Sequence, residues 1–198
     1  MADDPKIVDQ KIAEHVRCHL GNRSLVLVGL MGCGKSSVGK RMAAKLALPF
    51  VDADEEIEKV AAKSISEIFA DHGEDYFRNG ERKVIARLLE AGPQVLATGG
   101  GAFMNAETRA RVKSRGISIW LRAELPVLMR RISKRDTRPL LKNGDPEAVM
   151  SGLMAARYPI YAEADLTVES REMPHDVMVL EVLSALAALP ALAQPASL

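Results

Sequence analysis

Cysteine is scarce in this chain, net charge nearly absent, and no apolar run approaches the length that crosses a bilayer. Each shortage excludes something. Lys and Arg together number 27 against 26 Asp and Glu, a net charge of +1, so the basic excess expected of a nucleic-acid binder is missing. The two cysteines, Cys18 and Cys33, form neither a disulfide framework nor a metal-ligand spacing, and Cys33 sits within a glycine-rich stretch. The opening Met1-Ala2-Asp3-Asp4 is acidic and reads as neither a secretory signal nor a transit peptide. His15, His19, His72 and His175 show no ligand spacing. The expectation is one cytoplasmic globular domain of 198 residues, monomeric, with no nucleic-acid or membrane partner.

What is present alternates between short apolar runs and amphipathic segments. Asp4-Pro5 opens a helix on which Val8, Ile12, Val16 and Leu20 recur every fourth residue, and Gly21-Asn22 ends it. Residues 1–24 are therefore expected to form a helical extension. Leu25 to Val28 reads as a buried strand running into glycines, with a helix from Val38 to Leu48. Phe50-Val51-Asp52, Val95-Leu96-Ala97, Ile117 to Leu121 and Leu166-Thr167-Val168 read as four further strands. Ser64-Ile65-Ser66-Glu67 is a capping-box pattern, stopped at His72-Gly73, with another helix from Glu74 to Glu90. Strands separated by helices imply crossover connections and a parallel sheet covered on both faces, an α/β three-layer sandwich. Residues 191–198, with Pro195, are expected to be a frayed tail.

Gly29-Leu30-Met31-Gly32-Cys33-Gly34-Lys35-Ser36 matches G-x-x-x-x-G-K-[ST] between an expected strand and an expected helix. In that setting the backbone N–H groups of Gly32, Cys33, Gly34, Lys35, Ser36 and Ser37 cradle phosphates. Lys35 reaches the β/γ-phosphates, and the Ser36 hydroxyl can ligate Mg²⁺. No Asn-Lys-x-Asp guanine-reading element accompanies the loop. Thr98-Gly99-Gly100-Gly101 ends the third strand, where bare backbone can meet a ligand, or where a tight strand-to-helix turn is needed. Asp52 and Asp54 follow the second strand and, if extended, face the same side. One suits a metal and the other an acceptor hydroxyl; the alternative for Asp54 is a helix cap.

These segments together resemble the shikimate kinase family. The resemblance is carried by the glycine-rich loop, Phe50 to Asp54, Arg78 with Glu81, Val95 to Phe103, Arg138-Pro139-Leu140-Leu141, and Arg157-Tyr158-Pro159-Ile160-Tyr161. They occur in family order over about residues 25 to 170, within an expected kinase domain at 25–190. The resemblance implies a P-loop kinase with a five-stranded parallel sheet in the order 2-3-1-4-5 and a short lid at about 134–145. It implies ATP-dependent phosphorylation of the 3-hydroxyl of shikimate to shikimate 3-phosphate, in aromatic amino-acid biosynthesis, with Mg²⁺. By position, Asp54 is similar to the residue that holds the acceptor hydroxyl, and Asp52 to a carboxylate near the metal beside Ser36. Arg78 and Arg157 resemble a clamp on the substrate carboxylate, and Gly100 a backbone contact to the ring hydroxyls. Arg138 resembles a lid arginine that reaches the transferred group, completing a catalytic set with Asp54 and Lys35. Arg131 and Pro174 are candidate adenine contacts by the same analogy. Ser37 stands where many relatives carry threonine.

The residue chemistry agrees but leaves alternatives. A small polyol acid needs a planar cation for its carboxylate, which arginine provides. Arg78 and Glu81, three apart on a helix, are equally an exposed ion pair, and Arg157 a solvated helical arginine. Lys134 to Gly144 is a cationic lid or an ordinary basic loop. Gluconate or a nucleoside monophosphate is the rival acceptor, although 4% aromatic content offers little for a base slot. A nucleotide-binding module without transfer activity is the rival outside catalysis.

Overall fold

The computed structural model describes residues 5–133 and 145–193. Helix α1 (Pro5–Leu20) leads into strand β1 (Ser24–Val28), then α2 (Lys35–Leu46), β2 (Phe50–Asp52), α3 (Ala53–Ala61) and α4 (Ile65–Glu90). There follow β3 (Val95–Ala97), a 3-10 turn (Ala102–Met104), α5 (Ala106–Arg115) and β4 (Gly116–Arg122). The chain then runs through α6 (Leu125–Ser133), α7 (Pro146–Tyr161), β5 (Leu166–Glu169), α8 (His175–Ala187) and α9 (Pro190–Ala193). The five strands pair in parallel in the order β2-β3-β1-β4-β5. Every residue of β1 is buried, as a central parallel strand covered on both faces requires.

Local chemistry explains most boundaries. α2 begins at Lys35, three residues before the expected start at Val38, because Gly34 (φ 103°) releases the chain straight into the helix. Ser64 and Glu67 form the reciprocal capping box that opens α4. Gly73, at φ 81° and ψ 177°, breaks α4 in its middle, so two helical arms meet at the His72-Gly73 stop. Asp52, rather than Asp54, caps α3: its carboxylate accepts from the Asp54 N–H at 3.1 Å. That removes the capping role as an explanation for Asp54.

α1 lies on the domain and is not held apart from it. Val16 and Leu20 join the same apolar core as the sheet, with α1 packed against α2, α8 and α9. The boundary expected for the tail, at residue 191, cuts α9, and Leu192 is fully buried. Burial of one leucine side chain is worth about 2 kcal/mol, enough to hold a short turn in place. The expected lid and Arg138 lie outside the described residues. Among the described residues no helix is long and apolar enough to cross a membrane.

The sheet sets the site. Three loops leave the carboxyl ends of adjacent strands: Gly29 to Gly34 after β1, the β2–α3 junction at Asp52, and Gly99 to Gly101 after β3. The carboxyl edge of an open parallel sheet is where α/β folds bind ligands.

Candidate active site

The loop after β1 is built to keep side chains out. A Cβ on Gly29 (φ 135°) would lie 2.9 Å from the Leu121 carbonyl oxygen and 3.0 Å from Cys33 Sγ. The backbone thus closes tightly into a nest above the α2 N-terminus. Lys35 Nζ donates to the carbonyls of Gly29 at 2.8 Å and Leu30 at 3.0 Å, which hold the ammonium at the loop. The buried Cys33 side chain faces inward, so only its backbone is available for contact. Ser36 is exposed and Ser37 half-buried in the first turn of α2.

The β2 end meets this loop. Ser36 Oγ donates to Asp52 Oδ2 at 2.8 Å. A hydroxyl and one carboxylate are hard oxygen donors of the kind Mg²⁺ takes when phosphates and water supply the rest. Among the described residues no cluster of three or more His, Cys, Asp or Glu could hold a metal ion.

Asp54 follows in the first turn of α3 instead of continuing the strand, yet the two carboxylates stay electrostatically coupled. Burial, then Asp52 and Glu81, push its carboxyl up to about 6, with Lys35 opposing. A carboxylate poised near neutrality can both hold a hydroxyl and accept its proton.

The glycines after β3 make room for the acceptor side. A Cβ at Gly99 would fall 2.7 Å from Glu81 Oε1 and 2.8 Å from Asp54 Oδ1, so both acids crowd against bare backbone. A Cβ at Gly101 would fall 2.6 Å from Arg78 Cζ. These glycines are required by close approach, beyond any turn they make.

Arg78 and Glu81 are not an exposed pair. Glu81 is 3% exposed, and its Oε2 accepts from Arg78 Nη1 at 2.8 Å, while Arg78 Nη2 also reaches Glu74 at 3.0 Å. Burial holds the Glu81 carboxyl above the usual carboxylate range, opposed by Arg78, and its Oε1 has no hydrogen-bond partner among the described residues. A signal for Glu81 does exist in the sequence. It interrupts the apolar stripe of Phe77, Val84, Ile85 and Leu88, on the face that packs inward.

Arg157 is likewise not free in solvent: Nη1 donates to the Gly100 carbonyl at 3.0 Å. Tyr161, one turn later, donates its hydroxyl to the same oxygen. Tyr161 lies in the stretch from Arg157 that carries the family resemblance, but nothing in that stretch gives its hydroxyl a role beyond that of a core aromatic. Arg131 bridges the P-loop to the segment after β5, donating to Ser170 Oγ at 2.8 Å, the Arg171 carbonyl at 2.6 Å and the Gly32 carbonyl at 3.3 Å. Ser170 Oγ donates to the Cys33 carbonyl at 2.7 Å, and Pro174 precedes α8 at the end of that segment. The structure therefore brings Lys35, Ser36, Asp52, Asp54, Arg78, Gly100 and Arg157 to one edge of the sheet.

Comparison with known proteins agrees with this arrangement. Residues 31–187 match the shikimate kinase family model. The chain is 58% identical over 169 residues to a shikimate kinase of Bradyrhizobium diazoefficiens, covering 85% of this chain and 82% of that one. It is 51% identical over 187 residues to a shikimate kinase of Rhizobium meliloti, covering 94% and 97%. A solved shikimate kinase of Acinetobacter baumannii in complex with shikimate superposes with TM-score 0.80 at 34% identity, over 85% of this chain and 95% of that one. A gluconokinase of Sinorhizobium meliloti, at TM-score 0.55 and 19% identity, shares the fold alone. With the P-loop, the Asp-x-Asp element and the triple glycine on adjoining strands, the chain belongs to the shikimate kinase family.

Proposed function

We propose that this protein transfers the γ-phosphoryl group of ATP to the 3-hydroxyl of shikimate. The observation that carries the reading is Asp54, raised to about 6, set against Gly99 with Lys35 among its charged neighbours and the Arg78–Glu81 pair beside it. That arrangement puts a proton acceptor between a phosphate-binding loop and a cationic site for an acid.

The nest of Gly32, Cys33, Gly34, Lys35, Ser36 and Ser37 holds the phosphates by backbone N–H groups, and Lys35 neutralises charge on the transferred group. Ser36 and Asp52 would hold Mg²⁺, which would supply neutralisation of phosphate charge. Arg78 and Arg157 grip the substrate carboxylate, and Gly100 backbone meets the ring hydroxyls. Asp54 holds the 3-hydroxyl and takes its proton as the O3–Pγ bond forms and the bond from Pγ to the bridging oxygen breaks, releasing ADP. Arg138 is assigned to the transferred phosphoryl group and the substrate by family resemblance. Arg131 and Pro174 are assigned to adenine on the same ground, supported by the tie from Arg131 to the P-loop carbonyls. The reading takes the protein as a monomer in the cytoplasm, and the free thiol of Cys33 inside a phosphate loop supports the reducing compartment.

The test is ADP release with ATP and Mg²⁺, with and without shikimate, with gluconate and AMP in parallel. Release that depends on shikimate is expected. Release with another acceptor keeps the kinase and discards the substrate; acceptor-independent behaviour with intact ATP binding discards both.

A further inference from the structure

Gly100 is where the acceptor loop touches the nucleotide loop. A Cβ there would lie 3.6 Å from the Gly29 carbonyl oxygen and 3.8 Å from the Met31 nitrogen. The same Cβ would lie 3.4 Å from Arg157 Nη1, so α7 closes on this residue as well. Among the described residues the Gly100 carbonyl accepts from two donors there: Arg157 Nη1 at 3.0 Å and the Tyr161 hydroxyl.

The two donors are not equivalent. Arg157 is half-buried and carries five N–H groups, which suit a planar carboxylate better than a single carbonyl. Tyr161 is fully buried, packed near Phe103 and Trp120, and has one hydroxyl proton to give. Burial also pushes its phenol well above the ordinary range, so it remains a donor at all working pH values. Gly100 is half-buried, and a carbonyl there that loses its partners is costly to the extent that water does not replace them. If Arg157 turns to an acid, Tyr161 is the donor among the described residues that still holds the Gly100 carbonyl.

We infer that Tyr161 is a positioning residue for the acceptor. Its hydroxyl fixes the Gly100–Gly101 peptide, leaving the Gly101 N–H on the opposite side and Arg157 at liberty to engage the substrate carboxylate. The trans peptide links these two directions: fixing the carbonyl fixes the N–H antiparallel to it. The inference rests on the proposed acceptor being a carboxylic acid bound beside Gly100.

Tyr158 supplies the internal control. It lies on the same helix, has its own hydroxyl, and donates to the Ala123 carbonyl instead, away from the glycine loop. Tyr161→Phe and Tyr158→Phe each remove one oxygen and one hydrogen bond, so a general loosening of α7 should affect both alike. In shikimate-dependent ADP release, run well below the lower Tm, Tyr161→Phe should raise KM for shikimate about five- to tenfold, the worth of one hydrogen bond. KM for ATP should stay within about twofold for both variants, and KM for shikimate within about twofold for Tyr158→Phe. Calorimetric titration with shikimate without ATP gives the same comparison as binding. A Tyr161→Phe protein with unchanged KM and binding for shikimate, whatever its Tm, overturns the positioning role. Equal effects of the two variants overturn it as well, in favour of plain stability. Wild-type protein that shows no response to shikimate instead refutes the substrate reading itself, so the two failures are distinct.

Discussion

The Ser36 hydroxyl donates to Asp52 across 2.8 Å, joining the first turn of α2, which follows β1, to the end of β2 across the intervening β3. Asp52 thereby does two things. One oxygen faces the P-loop serine, and the other caps α3 by accepting from the Asp54 N–H at 3.1 Å. The cap fixes where Asp54 begins its helix, so the proposed metal carboxylate also orients the proposed base.

Asp52→Asn keeps a capping oxygen, since asparagine caps as well as aspartate, and removes the charge. The expected outcome is a preserved fold with Mg²⁺ activation shifted about 10- to 100-fold higher in metal concentration. Titrating Mg²⁺ at fixed ATP checks this. An unshifted half-saturation would leave Asp52 with its structural role only.

Asp54→Asn should separate activity from stability. Turnover should fall about 10²- to 10⁴-fold, the usual worth of a positioned acid–base group, with ATP binding largely kept. Stability should move the other way. The carboxyl rises from 3.8 to about 6 on folding, so the folded state holds a proton that the unfolded chain has lost between those values. The stability this group contributes is therefore complete below about 3.8 and is lost as pH rises through about 6. A rise of that size leaves a penalty on the order of 3 kcal/mol at neutral pH that neutral asparagine avoids. Thermal melts at pH 7.5 should show the variant several degrees above wild type; a lower Tm would mean that Asp54 is not held in an unfavourable charged state.

The raised carboxyl also sets a pH profile. The base must be ionised to accept the proton, so kcat/KM for the acceptor should fall about tenfold per pH unit below the carboxyl's value. That value is about 6 in the free protein and is lowered to the extent that bound Mg²⁺ offsets the Asp52 charge. Rates from pH 5 to 8 with saturating ATP check the position of that limb. A limb near 4 would place the essential group in an ordinary solvated environment.

The sheet is legible in the sequence because its strands are short apolar runs set off by turn residues, such as Gly29 after β1, Pro49 before β2, Pro93 before β3 and Asp165 before β5. Leu25–Val28 and Val95–Ala97 read directly, and the P-loop and Asp-x-Asp spacing put their residues at the right strand ends. The sheet order comes through resemblance, since nothing in a single strand names its neighbours. Burial is the quantity that spacing does not supply. Arg78 and Glu81 look like any helical ion pair until the face of α4 is known, and Glu81 then proves to be 3% exposed. Tyr161 is silent for a related reason: its partner, the Gly100 carbonyl, belongs to a residue 61 positions away. Apolar spacing starts α2 three residues late because the glycines that make the nest also hide the first helical turn.

Two glycines test whether the glycine-rich edge serves function or packing. A Cβ at Gly101 and a Cβ at Gly39 each meet a heavy atom at 2.6 Å, but the neighbours differ. At Gly101 it is the guanidinium of Arg78, the mobile end of a long side chain, and the backbone there (φ −96°) suits alanine. Gly101→Ala should therefore keep its backbone and swing Arg78 aside, loosening the pair with Glu81 at some cost in Tm and raising KM for shikimate about tenfold or more by loss of a charge-assisted contact. At Gly39 the neighbours are the Phe50 ring and, at 2.8 Å, Leu27 Cδ1, both packed between α2 and the sheet. Overpacking there costs about 1–3 kcal/mol, offset by about 1 kcal/mol of helix propensity. Gly39→Ala should lower Tm by a few degrees and leave KM for shikimate unchanged. Melting curves and initial rates on the two proteins check both halves. If Gly101→Ala instead lost stability with its acceptor KM intact, the contact with Arg78 would be packing rather than a means of holding substrate.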